Sequence, residues 1–225
     1  MVKQNPEVSP TTGLRGRRAV QAEQTRVEIL KAARRQFAIN GYAATSVKEI
    51  ATEAGVSVQT VYDSVGSKAE LVRRLNDLID VEASVSEIAM TIPGTTDALA
   101  LTRIPAMITR RIVERCGDIL RACLDGARAE PDLAPVVDEG GRRHRAGARA
   151  VTERLASLGA LDAELSTDDA TVTIATLSDY RVALILLDDH GYTLDTVEEW
   201  IATTTARAVL RRDVTGASST SRSPS

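Results

Sequence analysis

Between residues 22 and 39 the apolar positions Val27, Leu30, Ala33 and Phe37 recur at three- and four-residue steps, the period of an amphipathic helix. Asn40-Gly41 can stop that helix by supplying a left-handed residue. Val47, Ile50, Ala51 and Ala54 predict a second, short helix with these side chains inward, capped by Thr45 or Ser46 and ended by Gly55. Ser57 caps a third helix through about Asp63, and Ser67 caps a fourth that carries Leu71, Leu75 and Leu78 towards Ile88. Beyond Pro93-Gly94 the pattern lengthens, predicting helices near 97–115, 118–129, 132–159, 168–189 and 195–212. Pro105 should kink the first of these or end its first half, because proline removes a backbone donor and clashes with the preceding turn. "EGGRRHR" around Gly140-Gly141 reads as a break in or before a helix.

Composition agrees with an all-α fold. The 225 residues are 43% hydrophobic, enough for an ordinary core, with 3% aromatics and seven prolines. Residues 1–20 hold Pro6, Pro10, Gly13 and Gly16, lack apolar periodicity and end in "RGRR", so a flexible basic arm is expected there. Residues 213–225 read as a disordered Ser/Thr tail. The longest aliphatic run, Val182 to Leu187, is far short of the ~20 residues that span a bilayer, and the N-terminus lacks a signal peptide's apolar core. A cytoplasmic protein with no membrane partner is expected. Cys116 and Cys123 would be ~10 Å apart along one helix, too far for a disulfide, and read as reduced core residues.

Charge changes this picture. Residues 1–75 carry 12 Lys and Arg against 7 Asp and Glu, a balance of +5, so the remaining 150 residues carry −8. A basic end on an acidic protein suits a polyanion partner. Two short helices joined at Gly55, the second capped by Ser57, match a helix-turn-helix, whose second helix enters the DNA major groove. Val58 and Val61 would then face the core while Gln59, Thr60 and Asp63 project outward; Gln reads adenine edges and a Thr methyl meets thymine. Tyr62, Lys68, the hydroxyls of Thr45 and Ser46, and the free N–H groups at the helix starts, as at Ser57, suit phosphate oxygens. The "RGRR" run can enter a minor groove or remain solvated.

The segment "ILKAARRQFAINGYAATSVKEIATEAGVSVQTVYDSVGSKAELV", residues 29–72, resembles the DNA-binding domain of the TetR family of transcriptional regulators, through Phe37, Gly41-Tyr42, "TSVKEIATEAGVS" and "TVY…GSKAEL". Two departures stand out: Val65 occupies a position where the family usually has an aromatic, and Asp63 puts a negative charge on the DNA face. The resemblance implies an N-terminal three-helix DNA-binding domain, here 21–66, and a C-terminal helical domain, here 67–212, that dimerises and holds a small-molecule pocket. It further implies that effector binding changes the spacing of the two DNA-binding heads.

The residues support parts of that second domain. "ATVTIATLSDYRVALILLDDHGY" is apolar around most of its circumference, so its helix needs cover on more than one face. The last helix carries Val197, Trp200, Ile201, Thr204, Ala208 and Val209 on one stripe. By resemblance these two helices form a four-helix homodimer interface with Leu184, Leu187, Trp200 and Ile201; burial within one subunit is the alternative. Met90, Met107, Cys123 and Tyr180 are adaptable or amphipathic, and Arg111, His144 and Asp179 can orient a polar group; Met107, Arg111, Cys123, His144 and Tyr180 are the candidate pocket. Few aromatics favour an aliphatic effector.

No G-x-S-x-G, P-loop or G-x-G-x-x-G is present, and His144 and His190 belong to no metal-ligand cluster, so neither an enzyme, a metal nor a cofactor is expected. The expected function is a dimeric, effector-responsive repressor on a palindromic double-stranded operator. A helical carrier with a vestigial head is the alternative, supported by Asp63 and the modest +5.

Overall fold

A computed structural model describes residues 11–216. Helix α1 (Thr11–Ala44) is longer than its periodicity suggested, so the expected arm is helical from Thr11, including "RGRR"; residues 1–10 lie outside the described residues. Its buried face is Ile29, Ala32, Ala33 and Phe37, each no more than 3% exposed, whereas Val27 is exposed. The stripe is therefore rotated from the one read through Val27, because Ile29 lies one helical turn from Ala33 and two from Phe37. At Gly41 the backbone takes φ 74°, the left-handed turn anticipated there, and Tyr42 folds back beside Phe37 with ring centroids 5.5 Å apart.

Helix α2 (Val47–Ala54) begins with a full capping box: Ser46 Oγ accepts from the Glu49 N–H, and the Glu49 carboxylate accepts from the Ser46 N–H at 2.7 Å. Gly55, at φ 68°, ends it. Helix α3 (Val58–Ser64) is capped by Ser57, whose Oγ accepts from the Thr60 N–H at 3.0 Å. Helix α4 (Lys68–Glu82), capped by Ser67, stops short of Ile88, because Ser84 adopts a left-handed φ of 51° and redirects the chain into α5 (Val85–Ala89).

Helix α6 (Ala98–Ala129) joins the two helices expected at 97–115 and 118–129. It runs through the buried Pro105 and departs from helical geometry at Cys116 instead (φ −133°). The neighbouring Arg115 carbonyl there accepts from Arg34 Nη2 at 2.5 Å, and a side chain inserted into the backbone ladder is a known cause of kinks. Helix α7 (Ala134–Ser157) passes through Gly140-Gly141 unbroken, against the expected break.

The helix expected over 168–189 is two. Helix α8 (Thr167–Leu177) ends at Ser178, and α9 (Tyr180–Asp188) starts on an Asp179 cap that accepts from the Arg181 N–H at 2.8 Å. Residues 167–188 together are long and apolar enough to cross a membrane by composition, more than the run at 182–187 suggested. In the fold this stretch is cut by that polar cap, and both pieces bury one face in the protein. Helix α10 (Leu194–Val209) and the short α11 (Arg212–Gly216) complete the described chain, so the expected tail begins as helix; residues 217–225 lie outside it.

Two apolar cores result. One joins α1–α4 to the C-terminal half of α6, α9 and the start of α10, through Phe37, Ile50, Val61, Leu75, Ile119 and Ile201. The other joins the N-terminal half of α6 to α7, α8 and the end of α10, through Leu101, Leu155, Ile174 and Val209. Arg34 ties α1 to the ends of two neighbours, donating to Glu82 of α4 at 2.7 Å and to Asp118 of α6 at 2.9 Å. Arg34→Ala is expected to lower stability by roughly 1–3 kcal/mol, since two carboxylates lose a charge-assisted partner at a partly solvated site. A lower urea midpoint at unchanged m-value would report it.

Candidate nucleic-acid interface and ligand cavity

Helix α3 sits on the head through Val61, and Val65 just beyond it is also buried. Val58, expected inward, is exposed, as are Gln59, Tyr62 and Asp63. Gln59 Nε2 donates to Asp63 Oδ1 at 2.8 Å across one turn, so the acidic side chain that departs from the family pattern is held by the side chain expected to read a base. Tyr62 is 50% exposed on the same helix. The Ser46 and Ser57 hydroxyls are exposed but already serve as caps, and Thr60 Oγ1 lies 2.8 Å from Ser57 Oγ. Lys48, which the sequence reading missed, is exposed on α2 and makes no ion pair among the described residues; a cation one residue into a capped helix was the available signal.

Two expected phosphate contacts face inward. Thr45 is 2% exposed and its hydroxyl bonds the carbonyls of Gln36 at 3.1 Å and Gly41 at 2.8 Å, closing the α1–α2 turn. Lys68 Nζ donates to the carbonyls of Tyr42 at 2.9 Å and Thr45 at 3.0 Å and lies 4.1 Å from the Tyr42 ring centroid. That cation clamps α4 onto the head, and burial pushes the Tyr42 phenol's pKa up.

At the seam between the two cores lies a cavity of about 260 Å³, walled by α4, α5, α6, α7 and the α8–α9 junction. Of the five residues expected there, Cys123, His144 and Tyr180 line it, as does Asp179. Met107 and Arg111 do not; Met107 is exposed on α6, between the cavity-lining Pro105 and Ile108, and Met90 is likewise exposed. His144 Nε2 is 2.8 Å from the Ala175 carbonyl, which only accepts, so Nε2 carries the proton. Burial pushes the thiols of Cys123 and Cys116 and the Tyr180 phenol up to about 12. Burial alone would raise Asp179, but the bonds from Arg181 hold it below its usual range.

Missed by the sequence reading were Asn76 of α4 and the glycines of α7. Gly140, Gly141 and Gly147 line the cavity, and a Cβ at Gly140 or Gly147 would meet nothing within 4 Å. Each costs about 1 kcal/mol of helix propensity relative to alanine. Gly140-Gly141, the first two of them, read from sequence as a break, whereas three glycines at i, i+1 and i+7 of one helix were the available signal.

The expected dimer residues divide. Ile201 is 0% exposed and Leu184 is also buried, both inside the chain's own core, so neither reaches a partner surface. Leu187 and Trp200 are half-buried, and Ile185 of α9 is 50% exposed.

Residues 29–75 match the profile of the bacterial regulatory proteins of the tetR family. The head is thus similar in sequence to the DNA-binding segment of the TetR family of transcriptional regulators. Two curated relatives are similar over most of the chain, both from Pseudomonas putida: the probable HTH-type transcriptional regulator ArpR and the HTH-type transcriptional regulator TtgR. Each is 28% identical over 198 residues, covering 81% of this chain and 90% of the relative. The fold is that of the SmeT–triclosan complex, at TM-score 0.69 and 19% identity over 85% of this chain and 94% of that one. TetR-family regulators bind DNA and carry a ligand-binding C-terminal domain; they are not enzymes and are commonly repressors.

Lys68→Met is expected to lower stability by roughly 1–3 kcal/mol and to weaken DNA binding with it, because the clamp is structural. Tyr62→Phe should leave the melting temperature unchanged and weaken DNA binding across sequences; thermal melts beside mobility shifts separate the two. With their pKa values raised to about 12, Cys116 and Cys123 stay protonated at pH 8, so a maleimide should label them only after denaturation, read by mass spectrometry.

Proposed function

We propose that this chain is a cytoplasmic, homodimeric repressor of the TetR family that binds a palindromic operator and is released by a small molecule held in the seam cavity. The observation that carries the reading is α4 itself. Asn76, Ile79 and Asp80 form part of the cavity wall, while Lys68, two turns earlier on the same helix, is bonded to the head. A ligand that shifts α4 against α6 and α7 moves the head with it. It does so only by binding the misaligned state more tightly than the operator-competent one.

On DNA, α3 lies in the major groove, with Gln59 and Thr60 toward base edges and Tyr62, Ser46, Ser57 and Lys48 toward phosphates. Domain limits of 21–66 for the head and 67–212 for the effector and dimerisation region fit this division of labour. The dimer face is α9 and α10, with Ile185, Leu187 and Trp200 as its apolar contacts. Two-fold symmetry of the protein then imposes a two-fold operator.

Selection of bound duplexes from a random pool, followed by footprinting, tests the reading. A palindromic site with salt-dependent affinity supports it, and enrichment of nothing by folded dimer returns the carrier alternative. Gln59→Ala should change the preferred base at one position in each half-site, by roughly 1–3 kcal/mol of discrimination. Ile185→Asp should shift sedimentation from dimer to monomer and cost operator affinity at least tenfold.

A further inference from the structure

The wall of the seam cavity carries four fully charged side chains, and all are paired. Asp179 accepts from Arg181 at 2.9 and 2.6 Å, and Asp80 lies 3.4 Å from Arg143. Thr109 and Ser178 hydroxyls are also spent, on the Ser178 and Ile174 carbonyls at 2.6 and 2.7 Å. A charged ligand would therefore enter an apolar cavity with no unpaired counter-ion, which is costly.

Three polar atoms on this wall remain without partners among the described residues. Asn76 is 8% exposed; its Oδ1 accepts from the Cys123 thiol at 3.9 Å, and its Nδ2 donates to no protein atom. The Tyr180 hydroxyl, in the electrostatic neighbourhood of Cys123, is likewise unbonded. His144, with its proton on Nε2, leaves Nδ1 as an acceptor. An amide donor that faces a cavity without a protein partner is a group that a ligand can satisfy. The rest of the wall is largely Ile, Val, Leu and Pro, with Tyr180 its only six-membered ring, and α7 contributes bare backbone at Gly140 and Gly147.

We propose that the cavity takes an uncharged, largely aliphatic molecule that presents one oxygen-bearing end to Asn76 and Tyr180, and that Gly140 of α7 sets the girth it accepts. This deepens the effector-site reading and rests on it only for the consequence of binding. The wall excludes carboxylates and amines because admitting either means breaking an existing ion pair. Gly140 is the specificity determinant, since it is half-buried on the cavity wall and a Cβ there meets nothing within 4 Å, which leaves room for a side chain beside the ligand.

Titration calorimetry of the full-length protein, free of DNA, with 1-decanol, decanoate and decylammonium tests this. The alcohol is expected to bind at least tenfold more tightly than either charged analogue, and Asn76→Leu to weaken it about tenfold. Gly140→Leu should raise the ligand-free melting temperature by about 2 °C, since leucine is the better helix former, while cutting affinity at least tenfold. That opposition is one a purely structural role would not produce. A charged analogue binding as tightly as the alcohol, binding by none of the three, or unchanged affinity in the folded Gly140→Leu protein would overturn the proposal. Mobility shifts on the operator are scored separately: an alcohol that binds without loosening DNA leaves the cavity's chemistry standing and fails the effector reading.

Discussion

The bonds of one guanidinium at the meeting of α1, α4 and α6 organise much of the molecule. Arg34 projects from the helix that supports the head and reaches the last residue of α4, the Asp118 carboxylate and the Arg115 carbonyl. By drawing that carbonyl out of the ladder it marks the point where α6 bends, and α6 feeds both cores, Leu101 and Ile104 one and Val113 and Ile119 the other. Ion pairs from Arg103 and Arg110 to Glu198 then hold α10 along the first half of α6. Since α6 runs through both cores, its geometry sets the gap between them.

That gap is the cavity, and it is maintained against the tendency of apolar surfaces to close. Three glycines on α7 forgo about 1 kcal/mol each of helix propensity relative to alanine, and at the half-buried Gly140 the missing side chain leaves open space on the cavity wall. A fold selected for stability alone would have placed alanine or leucine there. Helix α4 spans the distance from that volume to the head, with a lysine bonded to two backbone carbonyls at one end and, two turns on, an asparagine whose amide N–H has no acceptor among the described residues.

On the head, the hydroxyls of Ser46, Ser57 and Thr60 are committed to capping. Their exposed oxygens remain able to approach phosphate, but their first role is to start two short helices that would be marginal alone. Gln59 and Asp63 hold each other on the exposed side of α3, so the amide and the carboxylate are presented there as one paired group.

Local chemistry was legible in the chain. Caps at Ser46, Ser57 and Ser67, the left-handed glycines 41 and 55, and the apolar steps of α2 and α4 follow from residue type and spacing within a few positions, which is why the head could be read closely. Of the candidate pocket residues, Cys123 and Tyr180, singled out as adaptable or amphipathic, and His144, as a polar orienter, line the cavity, whereas Met107 and Arg111, chosen by the same reasoning, do not. What only the tertiary structure decided depends on partners far along the chain. Thr45 and Lys68 look like phosphate ligands until the turn they close is seen, and Ile201 looks like an interface residue until its own core covers it. Gly140-Gly141 looks like a break until the helix running through it borders empty space, and the kink falls at Cys116 rather than Pro105 because Arg34 lies 81 residues earlier than the carbonyl it takes. Residue type and short-range spacing determined which segments are helices and where they start; long-range packing determined which of their faces remain free to bind.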